Sequence, residues 1–107
     1  RKVAAGDDLF LVAIVDTTVV GTVTGGYDGH RGWVYSLAVD PGHRRQGIGT
    51  ALMGELERKL KDLGCPKLNL QILNHNREVV AFYESLGYLV EERVSMGKRF
   101  VTDGSET

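Results

Sequence analysis

Arg44, Gly47 and Gly49 fall in the run Val39-Asp-Pro-Gly-His-Arg-Arg-Gln-Gly-Ile-Gly-Thr50, directly after an apolar β-branched segment and directly before a helical pattern. A strand end, a glycine-bearing loop and a helix start in succession gather unpaired backbone N–H groups at the positive end of a helix dipole, an arrangement that favours phosphate. Arg44 and Arg45 add positive charge there, and Gly47 and Gly49 let a pyrophosphate approach the amides. Two better-known phosphate motifs fail. Gly42 and Gly47 have P-loop spacing, but Ile48-Gly49 replaces the Lys and Ser/Thr. A dinucleotide-binding GxGxxG would need a small residue at Leu52 and an acid about 20 residues on, where the sequence reads LNLQIL. The second group is Asn76, Tyr83 and Gly87 in NREVVAFYESLGY. Asn76 suits a helix cap. Tyr83, with an unperturbed pKa near 10, is protonated at neutral pH and able to donate, although its periodicity equally suits a core aromatic.

The elements that must carry these residues follow from hydrophobic period and turn residues. LFLVAIVD at 9–16, VVGTVTGGYD at 19–28 and WVYSLAVD at 33–40 are β-rich runs separated by short polar turns, which predicts a three-strand antiparallel meander. Leu52, Leu56, Leu60 and Leu63 then share one helical face, and Gly64 and Pro66 end the helix. KLNLQI at 67–72 is a short strand, so strand, helix and strand form a parallel crossover and the sheet is mixed. A second helix spans 77–86 and stops at Gly87, and two further strands are expected at 88–96 and 98–102, with a frayed tail. Trp33 and Tyr35 alternate with Val34 and Ser36 and share a sheet face, leaving both a core and an acceptor-pocket role open.

The chain has 107 residues, 42% hydrophobic and 25% charged, and reads as a single domain over 1–107. Thirteen Lys plus Arg against fourteen Asp plus Glu give a net charge of -1, so nucleic acid and anionic membrane are not expected partners. The lone Cys65 rules out an internal disulfide and, with single scattered His30, His43 and His75, no metal is assigned. A cytoplasmic location is the expectation from that cysteine usage.

Arg44-x-x-Gly47-x-Gly49 after an apolar strand, joined to the Asn76-x6-Tyr83-x3-Gly87-aromatic signature, resembles the GCN5-related N-acetyltransferase (GNAT) superfamily. Segments such as GTVTGGYDGHRG and the terminal MGKR look closest to the small bacterial YpeA-type acetyltransferases. The resemblance implies an α/β fold with a mixed, mostly antiparallel sheet in which the strands at 33–39 and 67–72 splay apart and admit the pantetheine arm of acetyl-CoA. It implies that backbone groups of Leu37, Ala38 and Val39 pair with that arm. Amides of Arg44, Arg45, Gln46, Gly47, Ile48, Gly49 and Thr50 would hold the pyrophosphate, and Asn76 would orient the cofactor. Tyr83 would be the catalytic acid that protonates the departing thiolate. The implied activity is direct acetyl transfer in a ternary complex to a primary amine acceptor, a peptide or protein N-terminus or a small molecule; a non-catalytic acyl-CoA-binding domain is the alternative.

Two departures from the family pattern matter. Many relatives place a Glu on the strand that here reads WVYSLAV, and no carboxylate precedes Asp40, so Tyr35, Ser36, His30 or a water chain remain open as base. The family's N-terminal strand and two helices are expected to be missing, with only RKVAAGDD before LFLVAIV, as in an N-terminally truncated domain. That expectation leaves the edge of 9–16 open and invites a homodimer.

Overall fold

The computed structural model describes residues 2–7, 9–73 and 76–101, the first six by backbone alone. It divides into two units, residues 1–76 and 77–107. The first holds β1 (Lys2–Asp7), β2 (Phe10–Val15), β3 (Thr18–Tyr27), β4 (Gly32–Val39), a 3-10 turn at Pro41–His43, α1 (Ile48–Asp62) and β5 (Leu68–Leu70). The strands form one sheet in the order β1-β2-β3-β4-β5. The first four pair antiparallel and β4 pairs with β5 in parallel, as expected of a crossover through α1.

One expectation is corrected at the N-terminus. The segment before LFLVAIV is a strand, β1, that pairs with β2 from Lys2↔Ile14 to Asp7↔Phe10. The cause is the ladder itself, because the outward N–H and C=O groups of β2 accept a partner whenever chain is near enough to fold back. The edge of 9–16 is therefore covered, and the argument for dimerisation through it lapses.

α1 packs on one face of the sheet. Ile48, Leu52, Met53, Leu56 and Leu60 are buried from the helix, and Leu11, Ala13, Val23 and Val34 from the strands. A Cβ on Gly21 would lie 3.0 Å from Ile48 and one on Gly25 would lie 2.8 Å from Leu56, so bare strand backbone lets the helix sit close. Leu63, placed on this stripe by periodicity, is instead 57% exposed. It is the C-cap residue at the end of the helix, directly before Gly64 turns the chain at φ +84.

The second unit contains α2 (Arg77–Ser85) and the chain after it. Gly87, at φ +97, ends the helix with its amide donating to the Glu84 carbonyl. The strands expected at 88–96 and 98–102 are not formed among the described residues, which show no ladder between 88 and 101. β-propensity describes a side chain's fit to a neighbouring strand, and without a ladder partner the alternating apolar pattern alone does not make one. His75 and the tail from Thr102 lie outside the described residues.

Leu56 is fully buried opposite Gly25, so Leu56→Ala leaves a cavity and should lower unfolding free energy by about 3 kcal/mol in a urea titration. Leu63→Ala should change it by less than about 0.5 kcal/mol.

Candidate functional site

The site is built on an irregularity in β4. Thr24 pairs with Ser36 and Gly25 with Val34, so Tyr35 is an extra residue, a β-bulge, with no partner on β3. Pairing between β4 and β5 runs from Gly32↔Leu68 to Val34↔Leu70 and stops there. From Tyr35 to Val39 no strand pairs with the outer edge of β4 among the described residues. Pairing between the two strands thus ends at the bulge.

Strand parity decides which backbone groups face the gap. The Asp40 amide donates to the Val20 carbonyl at 2.7 Å, so the Asp40, Ala38 and Ser36 positions direct their N–H and C=O toward β3. Leu37 and Val39 direct theirs to the open edge. Before the bulge the outward residues are even-numbered, and the Gly32 amide donates to the Lys67 carbonyl on the β5 side. The inserted Tyr35 switches the parity. Of the three residues that the family resemblance groups together, Leu37 and Val39 present groups to the gap, and Ala38 is engaged with Thr22.

The open edge runs into the phosphate-type loop. Pro41 opens the 3-10 turn, and Asp40 holds it: its carboxylate takes His43 Nδ1 at 2.9 Å. That hydrogen bond is the main reason the Asp40 carboxyl is held below its ordinary value, opposed by desolvation and aided by the Gly42 amide and the charges of His43 and Arg44. Arg44 Nε approaches the Val39 carbonyl at 3.5 Å, which keeps the guanidinium beside the open edge. Two left-handed residues then turn the chain, Arg45 at φ +64 and Gly47 at φ +77. Gly47 adopts that angle freely, whereas Arg45 bears a strain of about 1 kcal/mol.

Gly47 is the N-cap of α1, and no side chain caps the helix. The first intrahelical bond is from the Ala51 amide to the Gly47 carbonyl at 3.0 Å, so the amides of Ile48, Gly49 and Thr50 have no acceptor within the helix. They lie at the positive end of a fifteen-residue helix. Arg44, Arg45, Gln46, Gly47, Ile48, Gly49 and Thr50 form one contiguous stretch that follows the edge carrying Leu37 and Val39 and leads into α1. Asn76 directly precedes α2, and its amide donates to the Leu73 carbonyl at 3.0 Å.

Tyr83 belongs to the second unit. It is 7% exposed and makes edge-to-face contacts with Phe82 and Tyr88 at ring distances of 5.0 and 5.7 Å. Burial raises its pKa above the ordinary 10.0, so the phenol holds its proton throughout the neutral range. Among the described residues no group of His, Cys, Asp and Glu is arranged for a metal ion, and no helix is long and apolar enough to cross a membrane.

What sequence reasoning missed is the bulge. Its signal was the Gly25-Gly26 pair opposite WVY, since paired glycines in a strand often mark a bulge or a close approach.

The family model described as "Acetyltransferase (GNAT) family" matches residues 2–88. An acetyltransferase of Yersinia pestis (strain Pestoides F) is 47% identical over 103 residues, which cover 96% of this chain and 73% of that protein. An acetyltransferase of Sodalis glossinidius is 48% identical over 104 residues with the same coverage. Among solved structures, the aminoglycoside acetyltransferase AAC(6')-Iy in complex with a bisubstrate analogue, CoA-S-monomethyl-acetylneamine, has a TM-score of 0.76 at 18% identity. The match covers 86% of this chain and 69% of that one, and at this identity the likeness is one of fold.

The Asp40–His43 contact gives a pH dependence of known sign. A carboxyl whose folded pKa is lowered stabilises the fold above its unfolded value, 3.8, and loses that contribution as pH falls through the lower folded value. The Tm difference between wild type and Asp40→Asn should shrink as pH drops below 3.8. Gly47→Ala, which places a Cβ at φ +77, should lower unfolding free energy by about 1 kcal/mol in a denaturant titration.

Proposed function

The chain belongs to the acetyltransferase (GNAT) family, and from that premise we propose that it transfers an acetyl group from acetyl-CoA to a primary amine by direct attack within a ternary complex. The observation that carries this reading is the open edge of β4 ending in the uncapped N-terminus of α1. Leu37 offers its N–H and C=O, and Val39 its N–H, to an amide-bearing arm such as pantetheine, while the Val39 carbonyl accepts from Arg44 Nε. Ile48, Gly49 and Thr50 offer amides to the pyrophosphate, with Arg44 and Arg45 beside them. The edge from Tyr35 to Val39 is four residue steps long, about 13 Å, so the thioester end of the arm falls near the bulge.

The chemistry needs three things of the protein. The attacking amine must be neutral, the oxyanion that develops on the thioester carbonyl needs a donor, and the leaving sulfur needs a proton. An outward strand amide, Leu37 or Val39, supplies the donor. As the C–N bond forms and the C–S bond breaks, Tyr83 gives its proton to the thiolate and is reprotonated from solvent or from the amine's released proton. Its burial suits an acid rather than a base, because burial holds the phenol in its protonated form. Asn76 orients the acyl donor. The general base is unassigned: Tyr35, Ser36, His30 and water remain the candidates. A peptide or protein N-terminus, with a lower pKa than a lysine side chain, makes the smaller demand on such a base.

Calorimetric titration with acetyl-CoA, followed by thiol release in the presence of amines, tests the reading. Binding with acceptor-dependent release is the expected result; binding without release would mark a domain that holds acyl-CoA without turning it over. Tyr83→Phe should lower kcat by about 10²-fold or more with the acetyl-CoA Kd unchanged. Gly47→Trp should abolish binding, and an unchanged Kd would remove the pyrophosphate cradle.

A further inference from the structure

The sheet face opposite α1 carries a second feature of the bulge. Gly25 faces Leu56 of α1, so Gly26 faces the other way, and there a Cβ would lie 2.6 Å from Tyr35 Oη and 2.7 Å from Cε2. The Tyr35 ring is thus laid across Gly26, a position open only because that residue has no side chain. It remains 68% exposed. Trp33, paired with Gly26 across the ladder, shares this face, and the Arg31 guanidinium lies 5.9 Å from its ring centroid. Thr24 and Ser36, paired with one another, continue the face as hydroxyls.

This surface lies where β4 and β5 part, beside the expected position of the thioester. β3, β4 and β5 contain no Asp, Glu, Lys or Arg. The nearest carboxylate on the β3–β4 turn, Asp28, accepts from the His30 and Arg31 amides at 2.8 and 2.9 Å. A polycationic amine needs carboxylates to hold its remaining charges, and on this face of the first unit it would meet aromatic rings, hydroxyls and Arg31. A ring fixed over glycine backbone offers instead a rigid apolar plane.

Resting on the function proposed above, we infer that Tyr35 is an acceptor-binding residue, and that its ring over Gly26 selects primary amines carried on an uncharged, apolar or aromatic group over polycationic amines. The test uses the 107-residue chain, acetyl-CoA, and two acceptors, phenylalaninamide and spermidine, with thiol release as the readout. For wild type, kcat/KM should favour phenylalaninamide by about tenfold or more. Tyr35→Ala should raise the phenylalaninamide KM by about tenfold and leave the acetyl-CoA Kd as it is. Tyr35→Phe, which keeps the ring, should retain the wild-type acceptor KM, and Gly26→Val, which displaces the ring, should raise it. A preference for spermidine, or an unchanged phenylalaninamide KM in Tyr35→Ala, overturns the inference while the thiol release itself leaves the acetyltransferase reading in place; turnover of neither amine with acetyl-CoA bound overturns the inference and favours the non-catalytic reading. A wild-type chain that does not bind acetyl-CoA overturns both.

Discussion

The rest of the structure depends on one inserted residue in β4. Were Tyr35 an ordinary paired position instead of a bulge, the ladder parity set by Gly32 and Val34 would run on, and Ser36 and Ala38 would face the outer edge. With it, the outward groups come from Leu37 and Val39, the same residues whose side chains share the α1 face with Val23 and Gly21. The bulge also coincides with the last β4–β5 pair. Along the second half of β4 no strand pairs with its outer edge among the described residues, which leaves backbone groups that a strand-like ligand can pair with.

Packing fixes where that open edge leads. α1 is held to the sheet by a buried row from Ile48 to Leu60, brought close by Gly21 and Gly25. Because Ile48 is both the first helical residue and part of the core, the helix start is anchored rather than frayed. The uncapped amides therefore sit at a fixed place at the end of β4, joined to it by a loop that Asp40 and His43 tie together. Arg45 keeps a left-handed backbone without being glycine, a strain that the tied loop and the anchored helix sustain.

Much of this was legible in the sequence, and for physical reasons. The meander, α1 and the parallel crossover came from period and punctuation, signals that tertiary structure reinforces. The loop from Arg44 to Thr50 was legible because few chemistries explain two Arg and two Gly between a strand and a helix. β1 was missed because KVAAGD carries little strand signal of its own and is recruited by the ladder of β2. The strands expected at 88–96 and 98–102 failed for the converse reason: residues with strand propensity had no ladder to join among the described residues. Parity within 37–39 depends on a one-residue slip, which composition does not report but pairing does.

Amide hydrogen exchange, followed residue by residue by NMR with and without acetyl-CoA, tests the central claim most directly. In the free chain the Ala38 amide, bonded to β3, should be protected while Leu37 and Val39 exchange rapidly, and saturating acetyl-CoA should protect Leu37, Val39 and the amides of Ile48 to Thr50. Protection of Leu37 and Val39 before any ligand is added, or their continued rapid exchange at saturation, would contradict the account.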